Sequence, residues 1–449
     1  MVTSTSVIPR LRTVTRPLTG APDLVSLADP EDPLVWVRGD RGCVGIGIAA
    51  RITCSGPDRF REAAARWREI AEAAEIDDPV RLPGSGLVAL GAFAFASDSA
   101  AESTLIVPKL LIARHRDRWW ITEVTEATEA SGVAAGGSAA GGIAASAPDP
   151  DPELPFDLAA ASPVGEWPGV DFAPVSADAV EAYLAGVREA GRRIDAGGVE
   201  KIVLARQIAG EVPSGADLRV PLGRLAERYL DCWTFAVDGL IGASPETLVR
   251  STGGAVSARV LAGTRARHAD RPQRDAQARD ELLTSSKEQH EHAFAVQSVV
   301  TALSPYVSGL RTSEEPFPLR LPNVWHLATD LGATLDDGSS ALELVGALHP
   351  TAAVAGTPTA DAVAAIGELE PFDRGRYSGA VGWIDAAGDG EWVIALRCGQ
   401  LAAGASRSGA GFRRMVASAG GGIVAGSDPE HELGETVSKL RPITEAFAR

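Results

Sequence analysis

From about residue 176 to the C terminus the chain alternates between two hydrophobic periodicities, and this alternation limits the possible folds. Residues 179–196 have the apolar spacing of an amphipathic helix, and residues 199–209 (VEKIVLARQIA) form the apolar run of a buried strand. Residues 272–303 predict one long helix, and residues 412–419 predict a last strand. Strands and helices interleaved in this way predict a mixed α/β (α+β) architecture.

The first 175 residues show the same patterns in a looser form. Residues 60–75 predict a helix, while residues 87–95 and 104–112 predict buried or half-buried strands. Residues 130–152 consist largely of Ala, Gly, Ser and Pro, which bury too little surface to offset the entropy of ordering, so we expect a flexible segment. We therefore distinguish an N-terminal part, 1–175, from a part that holds nearly all the motifs, 176–449.

Charge excludes some partners. With 42 Lys and Arg against 59 Asp and Glu, the net charge is −17, which argues against nucleic acid as a partner. An anionic ligand would therefore need positive charge or a metal ion concentrated in one place. The four cysteines form no CxxC pair, and no apolar run resembles a signal peptide or reaches the length that spans a bilayer. We expect a cytoplasmic protein that does not enter membranes.

Two pairs of acidic residues recur at helical spacing. Glu288 and Glu291 lie in SSKEQHEH, and Glu432 and Glu435 lie in PEHELGET. The i, i+3 spacing places each pair on one face of a helix, and four carboxylates would form an all-oxygen site suited to Mg²⁺. The alternative for each acid is a solvated helix face.

Single residues in apolar surroundings give further candidates. Lys201 begins the apolar run of the strand 199–209, so it is either an edge residue that extends to water or a desolvated amine able to act as a base. Arg397 lies in the predicted strand 391–401, where an arginine usually pairs with a carboxylate. Glu246 precedes a strand, and on this segment alone we expect it to be exposed. His326 has no acid or Cys at metal or triad spacing, so we expect a satisfied core or loop histidine.

The glycine run after the strand 412–419 is a third kind of signal. Gly420, Gly421 and Gly422 predict either a turn or a close approach of the backbone to a ligand. Ser-Asp-Pro-Glu follows, so we expect Ser427 to cap a final helix.

These segments together resemble the chorismate-utilising enzymes, which include isochorismate synthases, salicylate synthases and the large subunits of anthranilate and aminodeoxychorismate synthases. The similar blocks lie in the family's order between about residues 200 and 440: EKIVLAR, GASPETLV, ARVLAGTR, SSKEQHEH, LPNVWHLAT, ALHPTAAVAGTP, ELEPFDRGRYSGAVGW, EWVIALRCG and AGGGIVAGSDPEHELGETVSKL. The resemblance implies two facing β-sheets flanked by helices, with a Mg²⁺-containing active site in the cleft between them.

The resemblance also implies a reaction. Family members that add water at C2 of chorismate have a lysine where ammonia users have Gln, and this chain has Lys201. Aminodeoxychorismate synthases carry a Lys at the position of Ala262. The resemblance therefore implies isochorismate synthesis, with Lys201 as the base and Glu246 as the acid that protonates the departing C4 hydroxyl.

The ligand contacts follow from the same resemblance. It implies that Glu291 and Glu435 hold Mg²⁺, with Glu288 and Glu432 in contact directly or through waters. Gly263 and Thr264 would complete the pocket of the ring carboxylate. The enolpyruvyl carboxylate would be held by Tyr377, Arg397, Lys439 and the amide of Gly420. The family usually has Ala at the position of Gly421, which we expect to loosen a loop here.

Three alternatives remain at this stage. A salicylate synthase would share the lysine and then eliminate pyruvate. An amide-transferring subunit would need a glutaminase partner, which Lys201 argues against, and a chorismate-binding protein without catalysis would need neither acid nor base. General likeness favours menaquinone biosynthesis over a siderophore pathway, and monomers are common in the family, so we expect a monomer or weak dimer.

Overall fold

The computed structural model describes residues 8–20, 23–127, 163–268, 270–321, 324–403 and 411–449. The predicted flexible segment 130–152 lies outside them. The helices of the described part are α1 (Arg59–Ala73), α2 (Ala179–Asp195), α3 (Arg219–Arg228), α4 (Pro272–Thr284), α5 (Ser286–Leu303), α6 (Ala341–Leu348), α7 (Thr359–Leu369) and α8 (Pro429–Phe447), with a 3₁₀ turn at Val25–Leu27.

The strands of the described part are β1 (Leu11–Leu18), β2 (Leu34–Arg38), β3 (Arg41–Ile46), β4 (Ala50–Cys54), β5 (Glu75–Asp77), β6 (Val88–Ala92), β7 (Ser103–Val107), β8 (Leu110–His115), β9 (Arg118–Glu126), β10 (Ala173–Pro174), β11 (Lys201–Pro213), β12 (Trp233–Val237), β13 (Leu240–Ser244), β14 (Thr247–Thr252), β15 (Ala255–Ala266), β16 (Val307–Thr312), β17 (Phe317–Arg320), β18 (Val324–Leu335), β19 (Gly356–Thr357), β20 (Ala380–Asp385), β21 (Gly390–Ile394), β22 (Cys398–Leu401) and β23 (Phe412–Ile423).

These strands form two sheets. In the described residues the larger sheet has thirteen strands in the order β10-β11-β23-β22-β13-β12-β2-β3-β8-β9-β1-β5, with β19 beside β11. The smaller sheet has ten, in the order β16-β18-β15-β14-β21-β20-β6-β7-β4, with β17 beside β18. Both sheets combine strands from either side of position 175, since β2 pairs with β12 and β6 with β20. The division at 175 into a variable and a catalytic part stays a prediction.

The two sheets face each other across a shared apolar core. Trp36 and Phe235 of the larger sheet and Leu90 and Trp383 of the smaller sheet belong to one buried cluster. Helices α1, α2, α5, α6 and α7 contribute to a second cluster, and α3 and α8 to a third. Two facing sheets with flanking helices are the architecture that the family resemblance implied, so this prediction is confirmed.

Strand β11 illustrates how sequence alternation serves this arrangement. Successive side chains of a strand point to opposite faces of the sheet. Ile202 and Leu204 therefore pack with helix α2 in an apolar cluster, while Lys201 and Val203 line the cleft between the sheets.

The sequence predicted a continuous strand at two places where the chain passes from one sheet to the other, so both predictions were wrong. Residues 104–112 are broken at Pro108, which has no N–H to continue a ladder, so β7 lies in the smaller sheet and β8 in the larger one. Residues 391–401 likewise separate into β21 of the smaller sheet and β22 of the larger one. Arg397 lies in the crossover between them with a positive φ of 50°, and not inside a strand.

Three further predictions are wrong, two at the ends of helices and one at the glycine run. The long helix 272–303 is two helices, because Ser285 is extended and caps α5 by accepting a hydrogen bond from the N–H of Glu288. The N-cap of α8 is Asp428, which accepts from the N–H of His431 at 2.8 Å; Ser427 does not have that role. The glycine run is no turn or loop: it belongs to β23, with Gly421 paired to Leu204 of β11.

None of the helices in the described residues combines the length and the apolar character that crossing a bilayer requires.

Candidate active site

All twelve residues that the family resemblance assigned to the site line one cavity between the two sheets. They are Lys201, Glu246, Gly263, Thr264, Glu288, Glu291, Tyr377, Arg397, Gly420, Glu432, Glu435 and Lys439. Strands β11 and β23 bring residues from the larger sheet, and β15 brings residues from the smaller one. The first two turns of α5 and α8 supply the two acid pairs. The structure thus brings the candidates together, while their roles stay predictions.

Lys201 is buried in the cavity wall. Only 7% of its surface is exposed to solvent, and its Nζ donates a hydrogen bond to Glu291 Oε1 at 2.7 Å. The alternative of a lysine extending to water is therefore wrong. An amine held in an apolar strand, beside a cavity, is placed to exchange a proton with a bound ligand or water.

Glu246 is buried as well, which contradicts the expectation of an exposed acid. Its residue is 6% exposed, and its backbone N–H donates to Ser244 Oγ at 3.3 Å. Burial raises the pKa of its carboxyl to about 7, although Lys201 and Arg397 act in the opposite direction. A carboxyl with this pKa is partly protonated at neutral pH, so it can donate a proton.

The four acids of α5 and α8 are also largely removed from water. Burial raises the pKa of Glu288, and the neighbouring charge of Glu291 adds to the rise. Burial also raises the pKa of Glu432, with Glu435 adding to it. For Glu435 burial acts upward, but the ammonium of Lys439 at 2.5 Å lowers the pKa below its ordinary value. The solvated-face alternative is wrong for this cluster.

The four acids share the donor chemistry of a metal site but are not arranged as a preformed one. In the described residues, no three His, Cys, Asp or Glu side chains stand grouped as a ready metal site. Three of the four carboxylates instead accept from cations: Glu291 from Lys201, Glu435 from Lys439, and Glu288 from Arg265 at 3.0 Å. The donor set is nevertheless all carboxylate oxygen in one cavity, which is the chemistry that Mg²⁺ prefers.

The glycines leave room against these carboxylates. A Cβ on Gly421 would lie 2.9 Å from Glu432 Oε2, and a Cβ on Gly263, whose φ is +83°, would lie 3.1 Å from Glu288 Oε2. Both contacts are closer than ordinary van der Waals packing allows. The two glycines thus leave the space that these carboxylates occupy, and the residues fit an oxygen-ligated ion in their donor chemistry.

A second group of donors lies at Gly420. Lys439 Nζ donates to the Gly420 carbonyl at 2.8 Å. Opposite Gly420 on β11 is Ala205, whose N–H turns away from β23 and donates to Glu370 at 2.7 Å. Because directly paired residues of an antiparallel ladder orient their N–H groups alike, the Gly420 N–H also points away from β11. Tyr377, with its pKa raised to about 12 by burial, lines the same cavity.

Two functional candidates were missed by sequence reasoning. Arg265 pairs with Glu288 in the cavity wall, and its position directly after Gly263 and Thr264 was the available signal. His326 is buried, as expected, but it also lines the cavity, where Nδ1 lies 3.0 Å from Thr264 Oγ1. Its partner on β15 is set by strand register, which no local spacing reveals.

The charges of the cavity balance. Its lining includes five cationic side chains (Lys201, Arg265, Lys287, Arg397 and Lys439) and five carboxylates (Glu246, Glu288, Glu291, Glu432 and Glu435). On a protein of charge −17, a cavity lined by as many cationic as acidic side chains is less acidic than the chain as a whole.

Comparison with known proteins identifies the family. A family model described as chorismate binding enzyme matches residues 31–448. The chain belongs to this family of chorismate-binding enzymes. The resemblance inferred from the sequence blocks is therefore confirmed, and it extends over nearly the whole chain.

Three relatives illustrate the similarity. Isochorismate synthase DhbC of Bacillus subtilis (strain 168) is 41% identical over 279 residues, which cover 60% of this chain and 68% of that protein. The structure of DhbC from Bacillus anthracis matches with a TM-score of 0.71 and 30% identity, over 94% of this chain and 98% of that one. The structure of MenF, the menaquinone-specific isochorismate synthase from Escherichia coli, matches with a TM-score of 0.73. The match covers 97% of this chain and 95% of that one. At 23% identity this last similarity shows the fold alone.

Proposed function

We propose that the protein is a Mg²⁺-dependent isochorismate synthase, an isomerase that adds water at C2 of chorismate and expels the C4 hydroxyl. One observation carries the proposal: a buried amine, Lys201, and a buried carboxyl with a pKa of about 7, Glu246, line the same cavity. A displacement of hydroxide by water needs one base and one acid, and these two groups supply them. The 41% identity to an isochorismate synthase supports the same reaction.

Glu246 acts as the general acid. Its proton passes to the C4 oxygen as the C4–O bond breaks, so that the leaving group departs as water and not as hydroxide. The burial that raises its pKa keeps a useful fraction protonated at neutral pH.

Lys201 acts as the general base, a role that requires the free amine. Its Nζ takes a proton from the water whose oxygen bonds to C2, and the ring double bonds shift as the C4–O bond breaks. In each turnover Glu246 loses one proton and Lys201 gains one. Because product and substrate are isomers, the enzyme returns to its starting state once solvent has carried a proton from Lys201 back to Glu246. The hydrogen bond to Glu291 orients the lysine side chain toward the cavity.

The cations of the cavity bind the two carboxylates of chorismate. Arg397, Lys439, Tyr377 and the Gly420 N–H would hold the enolpyruvyl carboxylate, and Gly263 and Thr264 the ring carboxylate. Glu291 and Glu435 would hold Mg²⁺, with Glu288 and Glu432 beside them. When bound there, the ion would neutralise the ring carboxylate.

The remaining assignments belong to the same proposal. Lys201 selects water as the nucleophile, so no glutaminase subunit is required, and the protein would act as a monomer or weak dimer in the cytoplasm. General likeness of the sequence supports menaquinone biosynthesis as the proposed pathway, with siderophore biosynthesis as the alternative.

Product analysis tests the proposal. Purified protein is incubated with chorismate or with isochorismate, each with and without Mg²⁺, and the products are separated by liquid chromatography. We expect the same chorismate–isochorismate mixture from either compound, only when Mg²⁺ is present. Salicylate with equimolar pyruvate would instead identify a salicylate synthase. Unchanged chorismate in every reaction, including one with added ammonia, would contradict an enzyme of this class.

A further inference from the structure

His326 connects residues that we assign to the two carboxylates of the substrate. It lies on β18 directly opposite Thr264 of β15, and its residue is 7% exposed. Its Nδ1 lies 3.0 Å from Thr264 Oγ1 and 3.3 Å from the Gly263 carbonyl oxygen. On the other side of the ring, Nε2 lies 3.5 Å from Arg397 Nη2. The imidazole therefore bridges Arg397 and the Gly263–Thr264 segment of β15, where the register of the strand shifts.

The chemistry of these partners determines which ring nitrogen carries the hydrogen. A guanidinium only donates, so Nε2 beside Arg397 must accept. A carbonyl oxygen only accepts, so Nδ1 beside Gly263 must donate. The Gly263 side thus requires a hydrogen on Nδ1 and the Arg397 side excludes one on Nε2, and only the neutral Nδ1–H tautomer meets both conditions.

The electrostatic surroundings agree with a neutral ring. Burial, together with the charges of Arg397 and Lys439, lowers the pKa of His326 to about 3. An imidazolium would turn an N–H toward the guanidinium of Arg397, where two donors would oppose each other.

We propose that Arg397 and Gly263 fix His326 in the Nδ1–H tautomer, so that Thr264 Oγ1 accepts from His326 and donates its own hydrogen to a carboxylate of the bound substrate. His326 is thus a positioning residue that sets the direction of the Thr264 hydrogen bond. The identity of the ligand as chorismate rests on the proposed function. A chain of donors then runs from Arg397, at one substrate carboxylate, through His326 to Thr264, at the other.

The tautomer itself is observable without any turnover. Histidine-selective ¹⁵N labelling of the whole protein, with long-range ¹H–¹⁵N spectra, distinguishes Nδ1–H, Nε2–H and imidazolium rings. The signals of His326 are identified by their loss in His326→Gln. We expect the Nδ1–H pattern at every pH between 6 and 8. An Nε2–H pattern or an imidazolium in this range would overturn the proposal.

The direction of the Thr264 hydrogen bond is tested with matched variants. Thr264→Val keeps the shape but removes the hydroxyl, and we expect KM for chorismate to rise roughly tenfold to a hundredfold, as for a lost hydrogen bond to a charged group, with kcat little changed. Thr264→Ser keeps the hydroxyl and should stay within about threefold. His326→Gln should raise KM in the wild type but add little in the Thr264→Val background, because the relay acts through that hydroxyl.

Two results would contradict this relay: Thr264→Val with wild-type KM, or fully additive effects of the two substitutions. A purely structural His326 would give additive losses that follow the melting temperature, which is measured for each variant. If chorismate binds without conversion, the proposed function fails, and the same comparisons are made with the dissociation constant from calorimetry. Failure of the reaction is thereby separated from failure of the relay.

Discussion

Replacing Glu246 by Gln should make the protein more stable while removing its activity. The buried carboxyl has its pKa raised from 4.5 to about 7, mainly by burial. At about 1.4 kcal/mol per pKa unit, this rise corresponds to roughly 3 kcal/mol of folding free energy. The unfolded chain loses the proton as pH passes 4.5, whereas the folded chain keeps it until about 7, so stability falls across this window and levels above it.

Glu246→Gln has no proton to lose at this position. Its stability relative to the wild type should therefore increase by roughly 2 to 3 kcal/mol between pH 5 and pH 8. Any offset from the hydrogen bonds of the new amide is the same at both pH values, so the change with pH isolates the carboxyl. In the same variant kcat should fall about 10²- to 10⁴-fold, the usual contribution of general acid catalysis.

Urea unfolding followed by tryptophan fluorescence measures this difference, since the chain has nine tryptophans. Glu211→Gln is the matched control, because Glu211 is an exposed residue of the same strand as Lys201 and its loss should leave the pH dependence of stability unchanged. The reasoning is refuted if the difference between Glu246→Gln and wild type is the same at pH 5 and pH 8. It is refuted equally if the variant retains wild-type kcat.

Three further predictions concern other parts of the site. Lys201→Ala should lower kcat by about 10²- to 10⁴-fold while chorismate still binds in calorimetry; undiminished turnover would remove the lysine from the mechanism. Glu435→Gln should raise the Mg²⁺ concentration for half-maximal activity at least about tenfold. The control is Glu430→Gln, since Glu430 is exposed on the same helix and its substitution should leave that concentration unchanged. Equal effects of the two substitutions would argue against a ligand role for Glu435. Arg374→Met breaks the buried ion pair with Glu370 and should cost about 3 to 5 kcal/mol in urea unfolding; a loss below about 1 kcal/mol would show that the pair is dispensable.

Much of the site could be predicted because the family's motifs occur in order along the chain. More than two hundred residues separate Lys201 from Glu435. The motifs alone nevertheless predicted that both lie in one cavity with Gly420, and the structure places them there. The i, i+3 spacing of the acid pairs correctly predicted two helices that present carboxylates. These predictions depend on local patterns, which a single sequence displays.

The predictions that failed depend on packing between distant segments. Residues 391–401 look like one apolar strand, but the chain changes sheets at Arg397, and only the arrangement of both sheets decides where. Glu246 looked exposed because its own segment contains nothing that covers it. His326 meets Thr264 through the register of β15 and β18, and a shift of one residue would have turned it away from the cavity.

The ion pairs of the cavity would allow an acidic protein to bind the proposed dianionic substrate, because they pair the buried charges with one another. Lys439 and Arg265 each neutralise one of the carboxylates proposed to surround the metal, and Lys201 donates a hydrogen bond to a third. Chorismate carries two negative charges and Mg²⁺ two positive ones, so their joint binding adds no net charge to the cavity. The internal pairs would be exchanged, cations turning to the substrate and carboxylates to the metal. Because either partner alone would leave charges unpaired in a buried site, binding of the metal and of the substrate should each strengthen the other, as a reciprocal coupling requires. Calorimetric titration of chorismate with and without Mg²⁺ measures this coupling, and equal affinities would contradict the exchange.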